Sequence, residues 1–176
     1  MLTAGGDLLE HINNKFIAAG STKNKKPYTS GEVRSLLSGL LEAIRFLHHN
    51  GVAHRDIKPE NTMYPEEHIK LIDFGWADVF EGVKVARGSS KSIGVVQTKE
   101  GRVDSGPWTA PEQKKIQHFK TFNPFKSDIF SCGMILYTLL SGKNPRGGPK
   151  QIKANLNSRA CSHMSASEKA SYSIAL

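Results

Sequence analysis

The stretch HRDIKPEN, residues 54–61, decides the fold of this chain, and DFG follows at residues 73–75. These motifs bring together side chains that bind metal ions and phosphates. Asp56 and Asn61 lie five residues apart on one predicted loop, and Asp73 lies twelve residues after the asparagine. Carboxylate and amide oxygens are ligands that Mg²⁺ accepts, and Mg²⁺ commonly joins a protein to nucleotide phosphates. The spacing therefore predicts a site for phosphoryl transfer.

The two motifs resemble those of the eukaryotic protein kinases, in particular the C-terminal lobe of their catalytic domain. DFG alone recurs by chance, whereas HRDIKPEN followed by DFG at this spacing is specific. Ordinary surface turns, the alternative for these carboxylates, do not account for so many matches at family spacing. Lys58 is typical of the serine/threonine branch, and GGDLLEHI at 5–12 is similar to the calcium/calmodulin-dependent group.

The resemblance implies a role for each residue of the site, with ATP and Mg²⁺ as cosubstrate and cofactor. Asp56 would hold and deprotonate the acceptor hydroxyl, and Lys58 would neutralise charge on the transferred phosphoryl group. Asn61 and Asp73 would be the metal ligands. The nucleotide would contact Lys58, Glu60, Asn61, Met63 and Asp73, with the methionine beneath the adenine ring. The implied acceptors are Ser and Thr hydroxyls of protein substrates.

Length and charge limit the kinds of protein that this chain can be. Its 176 residues suffice for one domain, which at this size buries about 70% of the surface of the unfolded chain. The chain has 24 Lys and Arg against 16 Asp and Glu, a net charge of +8. The basic residues are scattered without interleaved aromatic residues, which favours a basic surface suited to acidic substrates over nucleic-acid binding.

The cysteines and the apolar runs indicate where the protein works. Cys132 and Cys161 provide no disulfide framework, which indicates a reducing compartment. Asp7 and Glu10 interrupt any apolar signal peptide, and the longest apolar run, 134–140, is too short to span a membrane. We therefore expect a soluble intracellular protein without a membrane span, located in the cytoplasm or, as an alternative, in the nucleus.

Apolar spacing predicts a mainly α fold. Thr29 and Glu32 form a predicted capping box before residues 33–47, whose apolar side chains recur at steps of three and four. Residues 127–140 are apolar on nearly every side, which predicts a buried helix ended by a glycine. Residues 13–28 are polar and are predicted to form a loop.

The resemblance implies a helical kinase C-lobe with a short β-hairpin that carries the catalytic and DFG loops. The predicted hairpin strands are 62–64 and 68–72. Residues 1–176 would be a partial protein kinase domain, from the hinge and helix D to about helix H, with an activation segment at 73–112. The glycine-rich loop, strand lysine and helix glutamate of the N-lobe do not occur in the sequence, so we expect this lobe to be absent.

The resemblance also implies a framework around the catalytic loop. His54 would pack under Phe74, and Asp128 would hold the backbone of the HRD turn in a structural role. Arg55 would grip a phosphate group on the activation segment, and Thr98 is the threonine nearest to the usual phosphorylation site. Phosphorylation at Thr98 and regulatory partners are therefore predicted.

Two neighbouring histidines raise the alternative of a zinc site. His48 and His49 are predicted to lie in the last turn of a helix, where the helix dipole favours a cation or an exposed imidazole. Because adjacent histidines point to different faces, they are not expected to bind zinc.

Two functions remain. The first is a serine/threonine protein kinase, of which this chain is a fragment that is inactive alone. The alternative is a non-catalytic, kinase-like (pseudokinase) interaction module. The intact acidic site favours the first, and the missing nucleotide-binding elements favour the second.

Overall fold

The computed structural model of the chain describes residues 6–20, 27–64, 68–80, 106–114, 122–142, 144–145 and 152. Within these residues, the helices are α1 (Leu8–Ala19), α2 (Ser30–His49), α3 (Pro111–Lys114) and α4 (Pro124–Ser141). The strands are β1 (Val52–Ala53), β2 (Thr62–Met63), β3 (Lys70–Leu71) and β4 (Asp78–Val79), and short 3-10 turns span Pro59–Asn61 and Gly106–Trp108. The mainly α fold expected from the sequence is confirmed.

The strands form two antiparallel pairs that clamp the ends of the catalytic and DFG loops. In the pair β2–β3, Thr62 lies opposite Leu71, which confirms the predicted hairpin. Each strand has two residues and is shorter than the predicted 62–64 and 68–72. In the pair β1–β4, Val52 lies opposite Val79. HRDIKPEN therefore runs between β1 and β2, and DFG runs between β3 and β4.

Helix α1 extends into the region that was predicted to be a loop. The side chain of Asp7 caps its start by accepting from the Glu10 backbone N–H at 2.8 Å, and the helix ends at Gly20 with φ 69°. The predicted loop is therefore wrong for residues 13–19. Ile12 is buried and Phe16 packs against the same core, so the apolar stripe continues past the polar residues, which lie on the outer face.

The predicted capping box at the start of α2 is confirmed. The backbone N–H of Thr29 donates to Glu32 Oε2 at 2.7 Å, and the backbone N–H of Glu32 donates to Thr29 Oγ1 at 3.2 Å. Lys15 of α1 also donates to Glu32 Oε1, at 2.6 Å, and so ties the two helices together. The buried stripe is narrower than expected, because Leu41 is exposed while the stripe itself consists of Val33, Leu36, Leu40 and Ile44.

Helix α4 is buried on nearly all sides, as predicted, and packs against α2 to form the core. It begins three residues earlier than expected, because Asn123 caps it by accepting from Lys126 N–H at 3.1 Å and Pro124 occupies its first position. Gly142 ends it with φ 69°. Among the described residues, no helix is long and apolar enough to cross a membrane. The core centres on Leu8, Ile12, Leu40, Ile44, Met134, Ile135, Tyr137 and Leu139.

Candidate active site

The HRD turn is held by a buried carboxylate from the central helix. Arg55 has φ 68°, a left-handed conformation that is costly for a residue with a side chain. Asp128 of α4 accepts from the backbone N–H of His54 at 2.9 Å and from that of Arg55 at 2.8 Å. These two charge-assisted bonds stabilise the strained turn. The structural role predicted for Asp128 is confirmed.

His54 connects the catalytic loop to the DFG loop. Its ring is buried and lies 4.9 Å from the ring of Phe74, with the two planes tilted by 46°. Its Nε2 lies 3.1 Å from the carbonyl oxygen of Ile72. The predicted packing of His54 under Phe74 is confirmed. Because both contacts reach residues next to Asp73, the position of the DFG aspartate depends on the HRD turn.

The carboxylate of Asp56 is fixed by two donors from its own loop. Lys58 Nζ donates to Asp56 Oδ2 at 2.9 Å, and Asn61 Nδ2 donates to the same oxygen at 2.9 Å. Asn61 Nδ2 also donates to the backbone carbonyl of Asp56 at 2.9 Å. Asp56 is buried, so these bonds are poorly screened by water. The loop therefore presents one negatively charged group beside a cation, in a single orientation.

The β2–β3 hairpin brings the backbone of Asn61 against that of Ile72, the residue before Asp73, and Asn61 and Asp73 are the predicted metal ligands. The backbone N–H of Ile72 donates to the carbonyl of Asn61 at 3.0 Å, which puts Asp73 next to the catalytic loop. Asp73 is exposed, has φ 60°, and accepts from Gly75 N–H at 3.3 Å. Because the side-chain nitrogen of Asn61 donates to Asp56, its amide oxygen is the atom suited to a metal ion.

The side-chain oxygens of Asn61 and Asp73 suit Mg²⁺, which prefers oxygen ligands and completes its coordination shell with water and phosphate oxygens. Within the described parts of the chain, no group of three or more His, Cys, Asp or Glu side chains could hold a metal ion. A magnesium ion at this site would therefore depend on Asn61, Asp73 and the phosphates of a nucleotide.

Glu60 and Met63 lie on either side of Asn61 in the sequence. One carboxylate oxygen of Glu60, Oε2, is buried and has no hydrogen-bond partner among the described residues. Such an oxygen is costly to leave unpaired, so the position suits a donor group from a ligand. Met63 is buried in β2, opposite Lys70, and forms an isolated β-bridge with Asp7 at the start of α1.

Arg55 has an ion-pair partner that sequence reasoning missed. Its side chain is only 4% exposed, and Nη1 lies 3.6 Å from Oδ2 of Asp78 in β4. Nε and Nη2 are buried without a hydrogen-bond partner in the part of the chain that the structure describes. Burial lowers the pKa of this guanidinium, while Asp78 and Asp128 oppose the shift. Thr98, the predicted phosphorylation site, lies outside the described residues.

His48 is mostly buried and contacts the same carboxylate as the HRD turn. Its side chain is 13% exposed, and Nε2 lies 2.8 Å from Asp128 Oδ2. The ring packs edge-on against Phe125, with centroids 4.9 Å apart. The two histidines point to different faces, as predicted, because position 48 continues the buried stripe one step of four after Ile44 while His49 is exposed.

Gln113 of α3 is a second buried polar residue that the sequence analysis missed. Its Nε2 donates to the backbone carbonyl of Arg55 at 2.8 Å, and its Oε1 accepts from the hydroxyl of Ser127. No sequence signal identifies it, because its partners lie on other elements.

Comparison with known proteins agrees with this geometry. The chain matches the family model of the protein kinase domain over residues 3–174. It is 34% identical to the serine/threonine-protein kinase grp of Drosophila melanogaster over 146 residues, which cover 80% of this chain and 26% of that protein. It is 35% identical to the phosphorylase b kinase gamma catalytic chain, liver/testis isoform, of Bos taurus over 124 residues, which cover 69% of this chain and 27% of that protein.

A third relative is the testis-specific serine/threonine-protein kinase 5 of Mus musculus, 36% identical over 145 residues, with 82% of this chain and 34% of that protein covered. The chain thus spans about a third or less of the length of these relatives. Because the family model covers far more than half of the residues and the described elements form a helical kinase lobe, the chain belongs to the protein kinase family.

Proposed function

We propose that this protein is a serine/threonine protein kinase that transfers the γ-phosphoryl group of ATP to Ser and Thr hydroxyls of protein substrates. The observation that carries the proposal is the Asp56 carboxylate, held at 2.9 Å by both Lys58 and Asn61 on one loop. Since the chain spans only part of each relative, the activity is proposed for the full-length natural protein.

Within this proposal, Asp56 and Lys58 are the catalytic residues. Asp56 accepts the proton of the acceptor hydroxyl while that oxygen forms a bond to the γ-phosphorus and the bond to the β-phosphate oxygen breaks. Lys58 lies beside Asp56 and offsets the negative charge on the transferred group. Both side chains start from a loop anchored to α4, so little reorganisation is needed during the reaction.

Asn61 and Asp73 hold Mg²⁺ through their side-chain oxygens in the same proposal. The ion supplies positive charge against the phosphates of ATP. Oε2 of Glu60, which has no hydrogen-bond partner among the described residues, accepts a hydrogen bond from the nucleotide, and Met63 provides an apolar surface for its base. Lys58 completes the set of nucleotide-binding residues.

The domain boundaries belong to the proposal as well. We assign residues 1–176 to a partial kinase domain, from the hinge and helix D to about helix H, and residues 73–112 to its activation segment. Protein substrates follow from the family. Regulatory partners and a cytoplasmic location stay predictions that rest on the sequence.

A non-catalytic interaction module is the second candidate, and one observation favours it. Ile72, Phe74 and Trp76 are large apolar residues next to the proposed metal site, and they are 38%, 46% and 43% exposed. Apolar surface that is concentrated in this way marks a contact area for protein. In a complete kinase another part of the same protein would cover it, whereas in an interaction module a partner would.

A transfer assay with the full-length protein separates the two candidates. The reaction contains Mg²⁺, γ-labelled ATP and peptides that each carry a single Ser, Thr or Tyr. We expect label on Ser and Thr peptides, and Asp56→Asn should lower the rate by about a hundredfold or more. Glu42→Gln makes the same chemical change at an exposed position of α2 and serves as the control. Label that stays at the background level for the wild type as well as for Asp56→Asn would leave the interaction module as the better description.

A further inference from the structure

Gln113 joins three elements that meet behind the catalytic loop. It lies in α3, directly after Ala110-Pro111-Glu112, and is only 2% exposed. Its amide nitrogen donates to the Arg55 carbonyl at 2.8 Å. Its amide oxygen accepts from the Ser127 hydroxyl in α4. One side chain therefore connects the segment after the activation segment, the HRD turn and the central helix.

The chemistry of the partners determines the orientation of this amide. A backbone carbonyl such as that of Arg55 can only accept a hydrogen bond, so the amide nitrogen must face it. The amide oxygen is then directed to the hydroxyl of Ser127, which can donate. Burying an amide is unfavourable unless its polar atoms are paired, and here both ends are paired. The side chain of Gln113 therefore serves to make these two hydrogen bonds and does not merely fill space in the core.

The hydrogen bond from Gln113 acts on the most strained part of the loop. Arg55 has φ 68°, and its backbone N–H is held by Asp128 at 2.8 Å. Its carbonyl belongs to the next peptide unit, which contains the backbone nitrogen of Asp56. Asp128 thus fixes the peptide before Arg55, and Gln113 fixes the peptide that leads into Asp56.

Residues 108–110, the segment that precedes α3, are also connected to Gln113 and to α4. The backbone N–H of Gln113 donates to the carbonyl of Ala110 at 3.0 Å. The hydroxyl of Ser131 in α4 donates to the carbonyl of Trp108 at 2.9 Å. A displacement of residues 108–110 therefore reaches Gln113, and through it the peptide unit of Asp56.

We propose that Gln113 is a positioning residue, which orients Asp56 by holding the Arg55 carbonyl and couples that aspartate to the end of the activation segment. The predicted effect on turnover rests on the proposed kinase function. The predicted effect on the backbone of the loop does not depend on that function, so the two can fail separately.

The test compares Gln113→Met with the wild type in the full-length protein. Methionine keeps the length of the side chain and removes both the donor and the acceptor. We expect amide hydrogen exchange at residues 54–56 to become about tenfold faster, because the peptide is held from one side only. We expect kcat to fall by about tenfold and KM for ATP to change by less than about twofold, because a displaced Asp56 affects the reaction and not nucleotide binding.

Thr138→Val is the matched control. The Thr138 hydroxyl is buried near the other end of α4 and donates to the Met134 carbonyl at 3.1 Å, so this variant also loses a buried hydrogen bond. It should lower stability comparably and leave exchange at residues 54–56 unchanged. If Gln113→Met lowers stability but also leaves this exchange unchanged, Gln113 is a structural residue and the proposal is wrong.

Ser127→Ala provides a second variant in case Gln113→Met does not fold. It removes the hydroxyl that holds the amide oxygen, so Gln113 is held at one end only, and it keeps the Gln113 side chain. Faster exchange at residues 54–56 supports the positioning role, and unchanged exchange overturns it. A wild-type protein without transferase activity would refute the proposed function, while the exchange data would still decide whether Gln113 positions the loop.

Discussion

Asp128 illustrates how one buried carboxylate organises a catalytic loop to which it does not belong. It accepts from the backbone N–H groups of His54 and Arg55, and His48 lies 2.8 Å away on the other side. These contacts maintain Arg55 in a left-handed conformation that it would otherwise leave. The geometry around Asp56 therefore depends on a residue of α4.

Replacing Asp128 by Asn should destabilise the protein more than a surface change of the same kind. The substituted amide has one accepting atom in place of two, so a backbone N–H of the HRD turn loses its acceptor. We expect a loss of about 2 to 3 kcal/mol in the free energy of unfolding, measured by urea denaturation. Glu42→Gln, on the exposed face of α2, should change it by less than about 0.5 kcal/mol. Similar values for both variants would show that Asp128 does not hold the turn.

Residues close in sequence were predictable, whereas most partners distant in sequence were not. The contact of Asp128 with the HRD turn is the exception, because it followed from the family resemblance. Asp56, Lys58, Asn61 and Asp73 lie within one short stretch whose spacing indicates their chemistry. Gln113 and Arg55 are 58 positions apart, and His48 and Asp128 are 80 positions apart. Those contacts arise from the packing of α2, α3 and α4, and a single sequence contains no direct signal of that packing.

At the scale of the elements, capping side chains and contacts with the core determine where each helix begins and ends. The capping box of α2 was visible in the sequence because Thr29 and Glu32 show it by type and spacing. The continuation of α1 to Ala19 was hidden, since the polar residues of its outer face resemble a loop. Only the buried contacts of Ile12 and Phe16 indicate that the helix continues.

Glu32 should make the stability of the contact between α1 and α2 depend on pH in the acidic range. Hydrogen bonds from Lys15 and from the backbone and side chain of Thr29 lower the pKa of Glu32 from 4.5 to about 2. The ionised form is therefore favoured in the folded state. Its contribution to stability is complete above about pH 4.5 and is lost as the pH falls towards about 2. Because the side chain is 40% exposed, we expect less than about 1 kcal/mol.

Thermal unfolding between pH 2 and pH 7 checks this dependence. Glu32→Gln removes the titrating group, so its melting temperature should fall less steeply than that of the wild type as the pH decreases through the window between about 4.5 and about 2. The Glu42→Gln control should follow the wild type. Parallel curves for the wild type and Glu32→Gln would contradict the proposed contribution of Glu32.

Gly142 should be required by the packing of α1 against the end of α4. A Cβ atom at this position would collide with the ring of Phe16. The collision is separated from the backbone strain at Gly142 by making the same change in a Phe16→Ala background. We expect Gly142→Ala to destabilise the wild type by about 1 to 3 kcal/mol more than it destabilises the Phe16→Ala variant in urea unfolding. Equal losses would mean that Phe16 does not pack against Gly142.

At the scale of the whole molecule, the reacting groups and their support come from different parts of the chain. Residues 54–75 contain every proposed catalytic and ligand-binding side chain, and β1–β4 and β2–β3 clamp that stretch. Helices α2, α3 and α4 supply the contacts that orient it. Motif spacing in the sequence predicts the first group, and these roles stay predictions. The fold class was predicted correctly, because apolar periodicity is local. The supporting contacts depend on how the helices pack.

Magnesium-dependent nucleotide binding tests most directly whether these residues form one site. ATP affinity is measured by titration of the full-length protein with and without Mg²⁺, for the wild type, for Asp73→Asn and for the Glu42→Gln control. We expect Mg²⁺ to tighten binding to the wild type and the control by about tenfold, or about 1.4 kcal/mol. Asp73→Asn should lose most of this gain. An equal gain in all three proteins would contradict a metal site at Asn61 and Asp73.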